Sequence, residues 1–143
     1  MTIARLIEAR PLAEVHSCAA GMPVREAVAL LAAKRIGALP VVADGSAVGI
    51  FSERDVIYRL AEHGPAMLDQ TVGEVMTAPV LAVDRDTQVL EALALMTRRR
   101  IRHLPVVENG ALVGFVSIGD LVKYRMDRIE GEAAAMRDYI QSA

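Results

Sequence analysis

Two hydroxyl–carboxylate pairs carry the chemistry that can be read first: Ser52 with Asp55, and Ser117 with Asp120. A spacing of three places both groups on one side of the first turn of a helix. A carboxylate there accepts hydrogen bonds only, and the 2′- and 3′-hydroxyls of a ribose are two adjacent donors that match it. The unsatisfied N–H groups at a helix start, with their positive dipole end, also suit an anion. The same spacing fits a capping box, in which the carboxylate closes its own helix and needs no ligand. Both readings stand on the local pattern. Cations that could meet a phosphate lie nearby in sequence. Arg54 adjoins Asp55, Arg35 and Arg100 immediately precede Ile36 and Ile101, and Arg102 and His103 stand where Gly37 and Ala38 stand earlier in the chain. The run Arg98-Arg99-Arg100 equally suits the C-terminal end of a helix.

These groups must be positioned by a duplicated unit. Ile36-Gly37-Ala38-Leu39-Pro40-Val41-Val42 is echoed by Ile101-Arg102-His103-Leu104-Pro105-Val106-Val107, and Gly49-Ile50-Phe51-Ser52-Glu53-Arg54-Asp55 by Gly114-Phe115-Val116-Ser117-Ile118-Gly119-Asp120, at a constant period of about 65 residues. In each copy a helix precedes the first motif, with Val24, Ala27, Val28 and Leu31, or Val89, Ala92, Leu93 and Met96, on its buried face. Pro23 suits the first turn of the former, and Asp86 or Thr87 a cap for the latter. Asp44-Gly45 and Asn109-Gly110 are hairpin turns joining two short strands, and Ser52 and Ser117 open a second helix. The unit reads as helix, strand, turn, strand, helix behind an irregular lead-in, which is about four residues longer in the first copy. A unit of this size buries too little alone, so the copies should pack on one another with pseudo-two-fold symmetry and form two related clefts.

Composition narrows the functional classes. The chain has 143 residues, is 53% hydrophobic and 3% aromatic with no Trp, and carries 16 basic against 18 acidic residues. The near balance argues against a general nucleic-acid binder. No apolar run approaches the roughly 20 residues of a membrane span, and Met1 to Glu8 lacks the pattern of a secretory signal. A cytoplasmic protein is expected. Cys18, the single cysteine, cannot form an internal disulfide. His16, His63 and His103 are scattered without metal-ligand spacing, and no phosphate-binding glycine loop or nucleophile elbow is present, so neither a metal nor catalysis is expected.

The apolar-Pro-Val strand followed by Gly-x-x-Ser-x-x-Asp, intact in both copies, resembles the CBS domain family, named for cystathionine β-synthase. The likeness covers about Thr2 to Arg128, and the chain looks like small bacterial proteins made only of a CBS pair. The resemblance implies an α+β fold of tandem repeats, roughly β-α-β-β-α each, with repeat 1 at 1–63, a linker at 64–70, repeat 2 at 71–128 and a C-terminal helix at 129–143. It implies an adenosine-containing ligand (AMP, ATP or NAD) and no enzymatic activity. In the family each cleft takes ribose contacts from one repeat and part of its base pocket from the other. Carried over, one cleft would gather Ser52, Arg54, Asp55 and Arg35 with the Thr77–Val80 loop and Ile101, Arg102 and His103. The other would gather Ser117, Asp120 and Arg100 with Ile36 to Ala38, and Gly119 would replace its arginine. Adenine would rest on apolar contacts and on backbone groups flanking Pro40 or Pro105.

Val122, Met126, Ile129, Ala133, Met136 and Ile140 recur at alternating spacings of four and three, a coiled-coil-like seam that points to a homodimer. Two functions fit the whole: a nucleotide sensor that signals to an unknown regulated protein, and a ligand-free interaction scaffold in which both Ser-x-x-Asp motifs are only helix caps.

Overall fold

The computed structural model describes Met1–Arg10 and Leu12–Ser142; Pro11, and Ala143 at the end of the expected C-terminal segment, lie outside the described residues. The chain runs α1 (Ile3–Glu8), a 3-10 turn, β1 (Cys18–Ala19), α2 (Val24–Lys34), β2 (Ala38–Ala43), β3 (Ser46–Ser52), α3 (Glu53–His63), a 3-10 segment (Gly64–Asp69), α4 (Val72–Val75), α5 (Val89–Arg99), β4 (His103–Glu108), β5 (Ala111–Ser117) and α6 (Ile118–Ser142). The expected α+β pair of repeats is present. Two antiparallel hairpins, β2–β3 and β4–β5, meet where Ser46 pairs with Ala111, giving the sheet order β1-β2-β3-β5-β4. Cys18 lies parallel to Val41, and Val83 bridges Val106 in the same sense, so even the edge of the sheet is repeated.

Local chemistry sets the joints. Asp44, Gly45, Asn109 and Gly110 all have positive φ, between 50° and 82°, the backbone that a two-residue hairpin turn needs to match strand twist. Helices α2 and α5 end alike: Arg35 and Arg100 adopt the left-handed conformation (φ 53° and 54°), and the next N–H groups, of Ile36 and Ile101, return to the carbonyls of Leu31 and Met96 at 3.1 and 3.0 Å. These are Schellman endings made without glycine. The helix starts depart slightly from expectation. Pro23 stands just before α2 rather than inside its first turn. Gln88, not Asp86 or Thr87, precedes α5, and its N–H donates to Glu91 at 3.4 Å. The reason is tertiary: Ile3 N–H donates to the Thr87 carbonyl and Val89 N–H to that of Met1, which ties the N-terminus across this helix start.

The two cores do not follow chain order. One contains Cys18, Val24, Ala27, Leu31, Leu39, Val41 and Phe51, but also Met67, Val72 and Val75 from beyond the first repeat's last helix. The other contains Val83, Val89, Ala92, Met96, Leu104, Val106, Val116 and Leu121, but also Ile3 and Ile7 from the start of the chain. Each copy's lead-in is thus lodged on the opposite copy. Two glycines at equivalent positions permit it. A Cβ on Gly49 would lie 2.7 Å from the Thr77 carbonyl oxygen and 2.8 Å from Met76 Sδ, and one on Gly114 would lie 2.5 Å from Ile7 Cγ2. Beside Gly49, Ile50 and Thr77 exchange both backbone hydrogen bonds, at 3.0 and 2.8 Å.

Replacing Gly49 with Ala should therefore cost about 1–3 kcal/mol of stability through overpacking against backbone. Urea denaturation measures it, and an unchanged midpoint would show that the Thr77 segment does not depend on that contact.

Candidate functional site

Both Ser-x-x-Asp motifs sit where a strand becomes a helix, and both close capping boxes. Ser52 N–H donates to Asp55 Oδ2 at 2.9 Å and Asp55 N–H returns to Ser52 Oγ at 3.3 Å. Ser117 N–H donates to Asp120 Oδ2 at 2.9 Å and Asp120 N–H returns to Ser117 Oγ at 3.1 Å. Capping occupies one oxygen of each carboxylate, and the second oxygen distinguishes the two sites. Asp55 Oδ1 accepts from the Thr77 hydroxyl at 2.8 Å. Asp120 Oδ1 instead pairs with Arg10 at 3.2 Å. Both outer oxygens are thus engaged within the chain, that of Asp55 by a neutral hydroxyl donor and that of Asp120 by a guanidinium.

Around Asp55 lies a cleft of about 520 Å³, a size suited to a small organic ligand. It brings together Ser52, Arg54 and Asp55 from one copy with Thr77, Val80, Ile101, Arg102 and His103 from the other, and Ala38 lies on its floor. Two polar ties cross its rim between the copies. Arg54 Nη1 donates to the Arg100 carbonyl at 3.0 Å, and Arg102 Nη2 pairs with Glu53 Oε1 at 3.1 Å. With Arg99, this cleft holds three guanidinium groups. Residues absent from the expected set also line it, chiefly Tyr58, Leu81 and Arg99. Tyr58 sits later in its helix than the motif, which argued against it in sequence, but it follows Asp55 by three residues and so shares its side of the helix.

The remaining expected residues lie elsewhere. Ile36, Ala38, Arg35, Ser117 and His103 line a second, smaller cavity of about 310 Å³ with Arg10, Val15 and His16. Asp120 opens onto an adjoining space of about 300 Å³ between α1 and α6. Arg35 lines the second cavity and also a larger, more open one of about 650 Å³ shared with Ile36, Glu53, Arg102, His103 and Ser117, but not the Asp55 cleft. Arg100 reaches the Asp55 cleft through its carbonyl. Pro40 and Pro105 are buried in their strands, where their carbonyls accept from the Cys18 thiol at 3.8 Å and from Val83 N–H at 3.0 Å. The period of 65 would have revealed Val15 and His16, which occupy the places of Val80 and Leu81.

His103 joins the two cavities, lining both, and its ring stacks on Phe115 with centroids 5.5 Å apart. Burial, reinforced by the neighbouring Arg102 charge, holds its pKa below the ordinary 6.5. Burial likewise pushes the Cys18 thiol up to about 11, an unreactive packing residue. Among the described residues no group of three or more His, Cys, Asp or Glu side chains is placed to hold a metal, and no helix is long and apolar enough to cross a membrane.

Comparison with known proteins adds to this geometry. Residues 8–62 and 72–127 each match the CBS domain. The mitochondrial CBS domain-containing protein CBSX3 of Arabidopsis thaliana is 35% identical over 129 residues, 87% of this chain and 63% of its own length. The chain therefore spans less than two thirds of that relative. A crystal structure of a CBS-domain containing protein from Agrobacterium tumefaciens superposes with a TM-score of 0.79 at 37% identity, covering 87% of this chain and 99% of the other. The structure of CBSX2 in complex with AMP gives a TM-score of 0.76 at 27% identity, covering 88% and 96%.

The lowered His103 pKa has a defined sign. The unfolded chain takes up the proton first, so this residue's contribution is complete above pH 6.5 and is lost as pH falls through the folded value. The melting temperature of the wild type should fall more steeply between pH 7 and pH 5 than that of His103→Asn; parallel curves would remove His103 as the source.

Proposed function

Because the chain belongs to the CBS domain family, we propose that it is a regulatory module that binds an adenosine-containing nucleotide in the Asp55 cleft and signals occupancy to a partner protein. The observation that carries this reading is the Thr77 hydroxyl bonded to Asp55 Oδ1 at 2.8 Å. A ribose hydroxyl can take the place of that alcohol while the other oxygen goes on capping α3. The arginines Arg54, Arg99 and Arg102 supply charge for phosphate, and Ala38, Val80 and Ile101 supply apolar surface for a base. The AMP complex of the 27% identical CBSX2 supports an adenine nucleotide as the class.

Signalling follows from the ties at the rim. Arg54 and Arg102 are held by a carbonyl and a carboxylate of the opposite copy. A phosphate competing for either guanidinium exchanges a contact between repeats for one to ligand, so ligand binding shifts the population of repeat arrangements. AMP, ATP and NAD differ in how many of these arginines they engage.

The scaffold reading draws on the capping boxes, and it is strongest at Asp120. There Arg10 takes the outward oxygen, and Ile118 and Gly119 replace Glu53 and Arg54. We therefore assign the nucleotide to the Asp55 cleft and a structural role to the Asp120 motif.

Thermal denaturation with AMP, ADP, ATP and NAD at millimolar concentration tests the assignment. A ligand at a hundred times its Kd adds about 2.7 kcal/mol of apparent stability, which should appear as a clear rise in Tm. Asp55→Asn should abolish most of that rise and Asp120→Asn should keep it. Silence with every adenosine compound would favour the scaffold, and a rise equal in Asp55→Asn would move the ligand to another cleft.

A further inference from the structure

Helix α6 continues far beyond what its own fold buries. Ile118, Leu121 and Tyr124 pack against the second core, and Leu121 is its single buried residue among those described. From there to Ser142 the helix projects about 27 Å at 1.5 Å per residue. Most helical stability in proteins comes from packing of an amphipathic face, and this stretch packs on nothing in its own fold. The apolar residues that continue along it are exposed: Met126 55%, Ile129 48%, Met136 59% and Ile140 65%. They lie on the face away from the core that Leu121 enters, and with Val122 and Ala133 they form one seam.

The charges beside that seam select its occupant. With Met126, Ala133 and Ile140 at heptad position a and Val122, Ile129 and Met136 at d, the flanking g positions are Arg125, Glu132 and Tyr139, and the flanking e positions are Lys123, Glu130 and Arg137. In a parallel, in-register pair, each g residue meets the e residue five places on in the other helix. Arg125 then meets Glu130, and Glu132 meets Arg137, on both sides of the pair. All four contacts are of opposite sign. An antiparallel pair overlapping the whole seam sets Glu130 near Glu130 and Glu132 near Glu132 at its centre. Gly131 falls at f, the outermost position, where a side chain is not needed, and open space surrounds it. Within the helix, Arg128 and Glu132 form the one ion pair among the described residues, at 3.0 Å, which leaves Arg125, Glu130 and Arg137 available.

We propose that residues 122–140 of α6 pair with the same segment of a second copy as a parallel, in-register two-stranded coiled coil. Both nucleotide-binding bodies then hang from the same end of the coil. The pairing is independent of the ligand reading, because none of these residues lines the Asp55 cleft.

Three measurements on the full chain test it. By analytical ultracentrifugation the wild type should be a dimer, and Ile129→Glu with Met136→Glu a monomer whose body keeps its cooperative melting transition, since both residues are exposed in the single chain, while the unpartnered tail loses helical circular dichroism. Glu130→Arg should weaken the dimer by about tenfold through lost and reversed ion pairs, and adding Arg125→Glu should restore it. Under copper-phenanthroline oxidation, Ala133→Cys should give a disulfide-linked dimer and Gly131→Cys should not. A monomeric wild type, a dimer indifferent to the two Glu substitutions, a charge swap without rescue, or crosslinking through position 131 in preference to 133 would each overturn the proposal.

Discussion

Close contact at two glycines organises the molecule. At Gly49 and Gly114 the sheet has no side chain on one face, and the lead-in of the opposite copy lies directly on the backbone. Thr77 is held to β3 by that contact and by its two backbone bonds to Ile50. Its hydroxyl reaches Asp55 only because the backbone approaches so closely. The Asp55 cleft is therefore not a gap left between two finished domains. Its wall from residue 77 to residue 81 is fixed by the same packing that completes the first core, so the shape of the cleft and the stability of the fold share one cause.

The repeat is symmetric in backbone and asymmetric in charge. Glu53 N–H donates to the Gly37 carbonyl, and Ile118 N–H donates to the Arg102 carbonyl at the equivalent place. The side chains diverge on that common frame. One site has Glu53, Arg54 and Arg102 arranged across the copies, while the other has Ile118, Gly119 and Gly37. The two motifs thus share one backbone frame and differ in the charges set on it.

Much of this was legible before any coordinates. The period of about 65 residues gave the paired architecture, because hairpin turns and helix faces recur in register. The grouping of Ser52, Arg54, Thr77, Val80, Arg102 and His103 around Asp55 came instead from the resemblance to the CBS family, and these residues line one cleft. What was hidden depends on the third dimension. Nothing local says that Arg10 will reach Asp120, 110 residues away, nor that Arg35 will line cavities other than the Asp55 cleft. The capping and ligand readings of Ser-x-x-Asp also do not exclude one another, because a carboxylate has two oxygens, a distinction that spacing cannot express.

The exchange of lead-ins also sets an order of events during synthesis. Ile3 and Ile7 are made more than a hundred residues before Gly114 and Val116, on which they come to rest. At ribosomal speeds of about 5–20 residues per second, that apolar N-terminal helix waits on the order of 5–20 seconds for its berth. Until the last strand is made, Ile3 and Ile7 have no native surface to cover them, so the exchange lengthens the time for which the growing chain exposes apolar side chains.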